Sequence, residues 1–213
     1  MKYDFIALTI SCLLVLAYYL YLARRTRRLP ESSVHALNAR MREHWTLMIM
    51  SNDKKDILAI QTLRNSVIAA NFMASTAILL ILGSLNISEK MGQYLLSWHT
   101  QQFGEHFSTE LWQLKLSLLV LVFAIAFFYF SMAIRFFNHV GYMINLADAE
   151  SIDQILYNQT CAYLNRAGRY YTLGMRNFFF SLPVIAWFFG ASMLVLATLA
   201  LIIALAILDK VPS

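Results

Sequence analysis

Residues 66–85 read SVIAANFMASTAILLILGSL and contain no ionisable side chain. A helix needs about 20 apolar residues to cross the hydrocarbon core of a bilayer, so this stretch is long enough to span one. Similar apolar stretches occupy residues 5–22, 116–134 and 183–208. We therefore predict an all-α integral membrane protein with four transmembrane helices, and we treat residues 1–213 as a single membrane domain.

The composition agrees with this fold class. Of the 213 residues, 59% are hydrophobic and only 14% are charged, whereas a soluble domain typically carries about 25% charged residues. The low charge content excludes an ordinary soluble protein, and the few glycines and prolines exclude a disordered chain. Two cysteines are too few for a disulfide framework or a cysteine-rich zinc module.

The last apolar run is longer than one span requires. It extends from Phe178 to Leu208 without an ionisable residue, and as a helix it would measure about 46 Å against a hydrocarbon core of about 30 Å. We expect Pro183 to kink this helix and the span itself to occupy residues 183–208. Ala186 and Gly190 form a pair of small residues at four-residue spacing, which we expect to face a neighbouring helix.

Basic residues are distributed unequally between the connecting segments. Residues 23–64 hold nine Lys and Arg and residues 135–176 hold four, whereas residues 86–112 hold only Lys90. Because Lys and Arg favour the cytoplasmic side of a membrane, we predict that the first two segments are cytoplasmic. Residues 86–112 and both chain termini are then outside. The net charge of +5 reflects this topology and does not indicate a nucleic-acid partner.

The predicted cytoplasmic segments carry helical patterns of their own. Val34, Leu37 and Met41 recur at helical spacing, which predicts an amphipathic helix that breaks near Asn52. A second helix is expected to begin at Asp53 and continue into the second span, and a third to follow the third span. We expect these helices to cap the bundle, and a docking surface for a partner is the alternative.

The second predicted span carries small and polar residues along one side. They are Ser66, Ala70, Asn71, Ala74, Ser75 and Thr76. Small residues at four-residue spacing let helices approach closely, and Asn or Ser side chains hydrogen-bond across such contacts. The pattern predicts packing between helices of the same chain. The alternatives are a seam between subunits and the polar lining of a path for a small solute.

The segment predicted to lie outside contains histidines and glutamates. His99 and His106 are seven residues apart, about 10 Å along a straight helix, which is too far for both to bind one ion. Glu105, His106 and Glu110 are closer together and offer ligands for zinc or copper. The same segment is typical of an interfacial helix with aromatic anchors, so we predict no metal and no other cofactor.

Arginines gather on the predicted cytoplasmic side. They are Arg24, Arg25, Arg27, Arg28, Arg40, Arg42, Arg135, Arg166, Arg169 and Arg176. A guanidinium group matches the geometry of phosphate and carboxylate, so these residues are the candidate site for anionic lipid headgroups, an anionic ligand or an acidic partner. The alternative is positive charge that serves topology alone and pairs with nearby acids.

Several short strings between residues 35 and 200 are distinctive. They are Asn38, Arg40, Arg42 and Trp45, then Lys54–Asp56, Phe72–Gly83, Phe130–Met132 with Arg135 and Asn138, Arg166 with Arg169–Tyr171, and Pro183 with Trp187–Gly190. Together they resemble the family catalogued as domain of unknown function 599, and Phe72–Gly83 is the most specific of them. The resemblance implies a four-helix membrane protein and implies no activity, since none is established for that family.

No catalytic motif is present. The sequence contains no P-loop, no Gly-x-Ser-x-Gly elbow, no His-Glu-x-x-His pair and no dinucleotide fingerprint. The four predicted spans contain no Asp, Glu, Lys, Arg or His, and this disfavours ion-coupled transport and haem binding. We therefore predict a protein that is not an enzyme.

The predicted role is that of an accessory or scaffold subunit in the bacterial inner membrane, either a homo-oligomer or part of a larger membrane complex. One alternative is a channel or carrier for a small solute or anion. A second alternative is a membrane redox subunit that binds a metal or cofactor.

Overall fold

The computed structural model describes residues 2–28, 34–52, 56–102, 109–146 and 153–210. Nearly all of these residues are helical and none of them lies in a β-strand, which confirms the all-α fold class. The helices, in chain order, are α1 (Lys2–Arg28), α2 (Val34–Met50), α3 (Asp56–Gln102), α4 (Thr109–Asn145), α5 (Gln154–Phe179), α6 (Ser181–Trp187) and α7 (Ala191–Leu208).

Four of these helices are long and apolar enough to cross a membrane. The candidate spans are Lys2–Thr26, Ile57–Ile87, Glu110–Asn145 and Ala191–Leu208. The first three contain the predicted stretches, and the fourth begins eight residues later than predicted. The chain is thus an all-α membrane protein with four candidate spans.

The helices between the spans follow the predicted pattern. α2 ends at Met50, and α3 begins at Asp56 and continues without a break into the second candidate span. α5 begins after Asp153, whose Oδ1 accepts a hydrogen bond from the Ile155 N–H at 2.8 Å, as a helix N-cap does. Pro30, Glu31, Ser32 and Ser33 are typical of a turn before a helix, and these residues lie outside the described part of the chain.

The chain forms two compact units. Unit 1 consists of Met1–Arg28, Thr76–Ile125 and Arg176–Lys210, and unit 2 consists of Leu29–Ser75, Ala126–Met175 and Val211–Ser213. In unit 2, residues of α2, α3, α4 and α5 share one hydrophobic core. Ala59, Ala133 and Ala167 in this core are no more than 1% exposed, and their short side chains allow the helices to approach closely.

In unit 1 the first and last helices lie side by side and run in the same direction. Ala7 of α1 packs in one cluster with Leu194 of α7. Further along both helices, Tyr18 packs in another cluster with Leu201 and Leu205. Because later residues of α1 contact later residues of α7, the two helices are parallel.

This parallel arrangement does not fit the prediction that both chain termini lie outside. The prediction counted residues 183–208 as one crossing, so that the chain would return to its starting side. In unit 1 the chain instead turns back before α7 begins, and α7 therefore starts at the same end of the unit as α1. Asp209, which follows α7, lies at the other end.

The return path is the end of α5 together with α6, which run antiparallel to α4. The Asn177 side chain donates a hydrogen bond to the Val122 carbonyl at 2.6 Å. Val184 packs with Leu119, and the ring centroids of Phe188 and Trp112 are 4.8 Å apart. Residue numbers therefore rise along one helix as they fall along the other.

The helix is interrupted at Phe180, three residues before Pro183, which agrees with the expected break near this proline, but the chain reverses later, at Gly190. Gly190 has a φ of 140°, which residues with a Cβ rarely adopt, so the helix cannot continue through it. Pro183 lies in the first turn of α6, where its missing N–H costs little. The expectation that Ala186 and Gly190 share one helix face is wrong, because Gly190 lies between two helices.

Candidate functional site

One buried ion pair lies at the end of unit 1 where α6 turns into α7. Asp4 and Lys115 are 5% and 8% exposed, and Lys115 Nζ lies 3.4 Å from Asp4 Oδ1. Lys115 Nζ donates a hydrogen bond to the Trp187 carbonyl at 2.9 Å, and Trp187 Nε1 donates one to Asp4 Oδ1 at 3.0 Å. Since the last carbonyls of a helix lack donors within it, Lys115 both caps α6 and neutralises Asp4.

A second buried ion pair joins the end of α7 to α1 and α5. The side chains of Arg176 and Asp209 are each 10% exposed, and Arg176 Nη2 donates a hydrogen bond to Asp209 Oδ1. Tyr18 OH donates one to Asp209 Oδ2 at 2.5 Å. Each carboxylate oxygen of Asp209 therefore accepts a hydrogen bond. We call these three residues the Asp209 clamp, and we call Asp4, Lys115 and Trp187 the Asp4 clamp.

The two clamps lie well apart along α1. Tyr18 follows Asp4 by 14 residues, a rise of about 21 Å. Ionisable residues within membrane spans are rare and are either paired with one another or part of a transport path. In both clamps the acid lies within 4 Å of its base, an arrangement that ties helices together.

The prediction that no span contains an ionisable residue is therefore wrong. The predicted stretches 5–22 and 116–134 stop one residue short of Asp4 and Lys115, and both residues lie inside helices long enough to span. The sequence did offer one indication of this pair. The predicted topology places Asp4 and Lys115 at the outer ends of two spans, where an acid and a base can meet. No such signal existed for Arg176 and Asp209, which were predicted on opposite sides.

Unit 2 holds a polar cluster between α2 and α5. Arg42 Nε donates a hydrogen bond to Asn165 Oδ1 at 2.8 Å, and Asn165 Nδ2 donates one to Glu43 Oε1 at 3.1 Å. The guanidinium lies against Gly168, where an added Cβ would come within 2.8 Å of Arg42 Nη1. Burial lowers the pKa of Arg42 and the Glu43 carboxylate opposes this shift, but an arginine stays protonated in proteins.

A buried thiol lies in the same contact between α2 and α5. Burial raises the pKa of Cys161, although hydrogen bonds with Tyr157 and Thr46 oppose the rise. The hydrogen bond with Cys161 in turn raises the pKa of Tyr157. A thiol that stays protonated is a poor nucleophile and a poor metal ligand, so Cys161 serves packing here.

Nearly the whole chain matches one protein family. The model of the family described as "Protein of unknown function, DUF599" matches residues 6–212. The chain belongs to the DUF599 family. The match confirms the resemblance and extends it beyond residues 35–200. This DUF599 protein matches no curated protein and no solved structure, so its function is inferred from its own residues.

The predicted arginine site of the DUF599 protein is divided between different places. Arg24, Arg40, Arg135, Arg166 and Arg169 are exposed, Arg25 and Arg42 are half-buried, and the side chains of Arg27 and Arg28 are outside the description. Arg42 contacts α5 at Asn165 and Gly168, next to Arg166 and Arg169, so these three arginines share one region of unit 2. Arg176 belongs instead to the Asp209 clamp in unit 1.

The small and polar residues of α3 have different surroundings. Ala70 and Ala74 are buried, Ser66 and Thr76 are half-buried, and Asn71 and Ser75 are exposed. The burial of the alanines fits packing between helices of this DUF599 chain. None of the described residues hydrogen-bonds to the side chain of Asn71 or Ser75, and both face away from the protein interior.

The residues considered as metal ligands in this DUF599 protein are only partly described. Glu110 is exposed near the start of α4, and His99 belongs to α3, although its side chain is outside the description. Glu105 and His106 lie outside the described residues. The absence of a metal stays a prediction.

Proposed function

We propose that this DUF599 protein is a non-enzymatic membrane scaffold subunit that assembles with a second copy of itself. The observation that carries the proposal is the exposure of Asn71 and Ser75 near the middle of the candidate span Ile57–Ile87. With the exposed Ile68 they form a stripe that we call the α3 seam. Spacings of three and four residues place all three side chains on one side of the helix.

An unpaired amide at this depth is unfavourable. The bilayer core contains no water to hydrogen-bond, and a buried polar group without a partner costs free energy. Because no described part of the chain satisfies Asn71, a partner from outside the chain is favoured. A second copy packed in parallel brings Asn71 opposite Asn71, and each amide offers both a donor and an acceptor. A single Asn in an apolar seam also fixes the register of two helices.

The expected loss of self-association can be estimated from the strength of hydrogen bonds between membrane helices. Such bonds contribute about 0.6–2 kcal/mol, so losing one changes the association constant by about 3- to 30-fold. The test is self-association of the full-length protein in liposomes, measured by energy transfer between two labelled populations at several lipid-to-protein ratios. We expect Asn71→Leu to weaken association within that range.

The matched control is Asn65→Leu. Asn65 is also an exposed asparagine on α3, but it points about 120° away from Asn71 around the helix axis. It should leave association unchanged. If Asn71→Leu associates as tightly as the unaltered protein, or if Asn65→Leu weakens association equally, the α3 seam is not the interface.

The two clamps favour a second candidate function, a channel or carrier for a small solute or anion. Charges inside a membrane protein are typical of transport paths. This function predicts ion or solute flux in proteoliposomes that Asp4→Asn or Asp209→Asn abolishes while self-association persists. A scaffold predicts no flux with either the unaltered or the altered protein.

The proposed setting is the bacterial inner membrane, with the N-terminus outside. The nine basic residues in 23–64 and the four in 135–176 support a cytoplasmic place for both segments. Because α1 and α7 are parallel, Asp209 would then lie toward the cytoplasm, on the opposite side from Asp4.

A further inference from the structure

A groove in unit 2 lies between α3 and α4. Its volume is about 450 Å³, within the range of about 300–1,000 Å³ that is usual for small-molecule sites. Leu63 and Phe137 are buried and give the groove an apolar floor, whereas Arg64, Asn138 and Asn145 are exposed along its rim. The groove thus combines an apolar surface with a cation and two amides.

A glycine keeps the floor of this groove open. Gly141 lines the groove, and a Cβ built on it would meet only Leu63 Cδ1, at 3.9 Å. A methyl group would fit there without strain, but a longer side chain would extend into the groove. The position therefore offers a way to fill the groove without changing its charge.

The cation on the rim has no counter-charge in the described part of the protein. Arg64 lies near the start of the candidate span Ile57–Ile87, two residues before the apolar stretch 66–85, where the predicted cytoplasmic segment meets the membrane. None of the described residues forms an ion pair or hydrogen bond with it, in contrast to Arg176 in its clamp. An arginine at the cytoplasmic end of a membrane helix attracts anionic lipid headgroups, and its guanidinium matches phosphate in a two-pronged geometry.

We propose that this groove binds an anionic glycerophospholipid. One acyl chain lies on the floor formed by Leu63, Phe137 and Gly141, and the headgroup phosphate accepts hydrogen bonds from Arg64 on the rim. Basic pockets between membrane helices recognise anionic lipids in this way. The groove is lined by residues other than those of the α3 seam, so the proposal does not depend on self-association.

The experiment counts lipids that stay bound to the full-length protein. The protein is reconstituted in vesicles of equal phosphatidylglycerol and phosphatidylcholine, released into mild detergent and analysed by native mass spectrometry. We expect one phosphatidylglycerol per chain to be retained in preference to phosphatidylcholine. Arg64→Gln should lower its association constant about fivefold, as expected for one basic residue that contacts an anionic lipid.

Two further variants separate the groove from general charge. Lys210→Gln removes an exposed cation that does not line the groove, and it should retain the lipid. Gly141→Leu should lose the lipid with all charges in place, and helical circular dichroism checks that it folds. Equal retention by Arg64→Gln and the unaltered protein, or equal binding of both lipids, would overturn the proposal. Displacement by inorganic phosphate would also overturn it, because the acyl chain would then contribute nothing.

Discussion

Removing one hydroxyl group tests how unit 1 is held together. In Tyr18→Phe, Asp209 keeps Arg176 on one oxygen but loses the donor that lies 2.5 Å from the other. Tyr18 is only 8% exposed, so water does not readily take the place of the hydroxyl. Hydrogen bonds to charged groups contribute about 1.5–3 kcal/mol, and we expect the free energy of unfolding to fall by that amount.

Removing the carboxylate should cost more. In Asp209→Ala, Arg176 stays buried without its counter-charge, and breaking a buried ion pair in this way costs about 3–5 kcal/mol. Because Tyr18 acts on the same carboxylate, its hydroxyl has no acceptor left in this background. The double variant should therefore be no less stable than Asp209→Ala alone, and the coupling energy should equal the loss in Tyr18→Phe.

The assay is reversible unfolding in mixed micelles with increasing denaturing detergent, followed by tryptophan fluorescence. The matched control is Tyr19→Phe, since Tyr19 is the adjacent residue and its ring lies 6.3 Å from that of Phe180. This control should change the free energy of unfolding by less than about 0.5 kcal/mol. If Tyr18→Phe changes it equally little, or if the losses in the double variant add, the clamp reasoning is refuted.

Three further predictions concern the ends of the chain, the turn and the buried thiol. A reporter that is active only in the cytoplasm should give a signal when fused after Ser213 and none when fused before Met1, and equal signals would contradict the parallel arrangement of α1 and α7. Gly190→Ala should lower stability by about 1–3 kcal/mol, because the backbone conformation of Gly190 is essentially restricted to glycine. Gly83→Ala, which has open space around it, should raise stability by up to about 1 kcal/mol. Thermal unfolding compares the two variants. Because burial raises the pKa of Cys161, alkylation of this thiol in the folded protein should be slow near pH 7 and should accelerate as the pH rises and the thiolate forms. Mass spectrometry of the modified peptide measures the rate. Rapid alkylation near pH 7 would contradict the burial of Cys161.

The helices and the candidate spans were predictable because apolar length is a local property. Residues 66–85 have enough apolar side chains to span, whatever else the chain contains. The turn at Gly190 was harder to predict, because a single glycine within 31 apolar residues looks the same whether the helix continues or reverses. The excess length of that run was the only warning.

The partners of the polar residues were predictable only in part. Asp4 and Lys115 lie at the edges of two apolar runs, so a wider definition of the spans would have included them. Tyr18 and Asp209 are 191 residues apart, and no spacing within either helix indicates that they meet. The charge of Arg42 marked it as a candidate anion-binding residue. Its partner Asn165 is uncharged, and nothing in the sequence pattern indicates that the two side chains meet.

The distance along the chain between Tyr18 and Asp209 also has a consequence for biosynthesis. α1 is the first of the described helices to be synthesised and α7 is the last, so Tyr18 and Arg176 are both in place before their common acceptor exists. Contacts between distant parts of a chain form late in folding. A nascent chain that stalls between α5 and α7 would therefore hold Arg176 without its counter-charge, and its assembly would wait for the ribosome to finish the last helix.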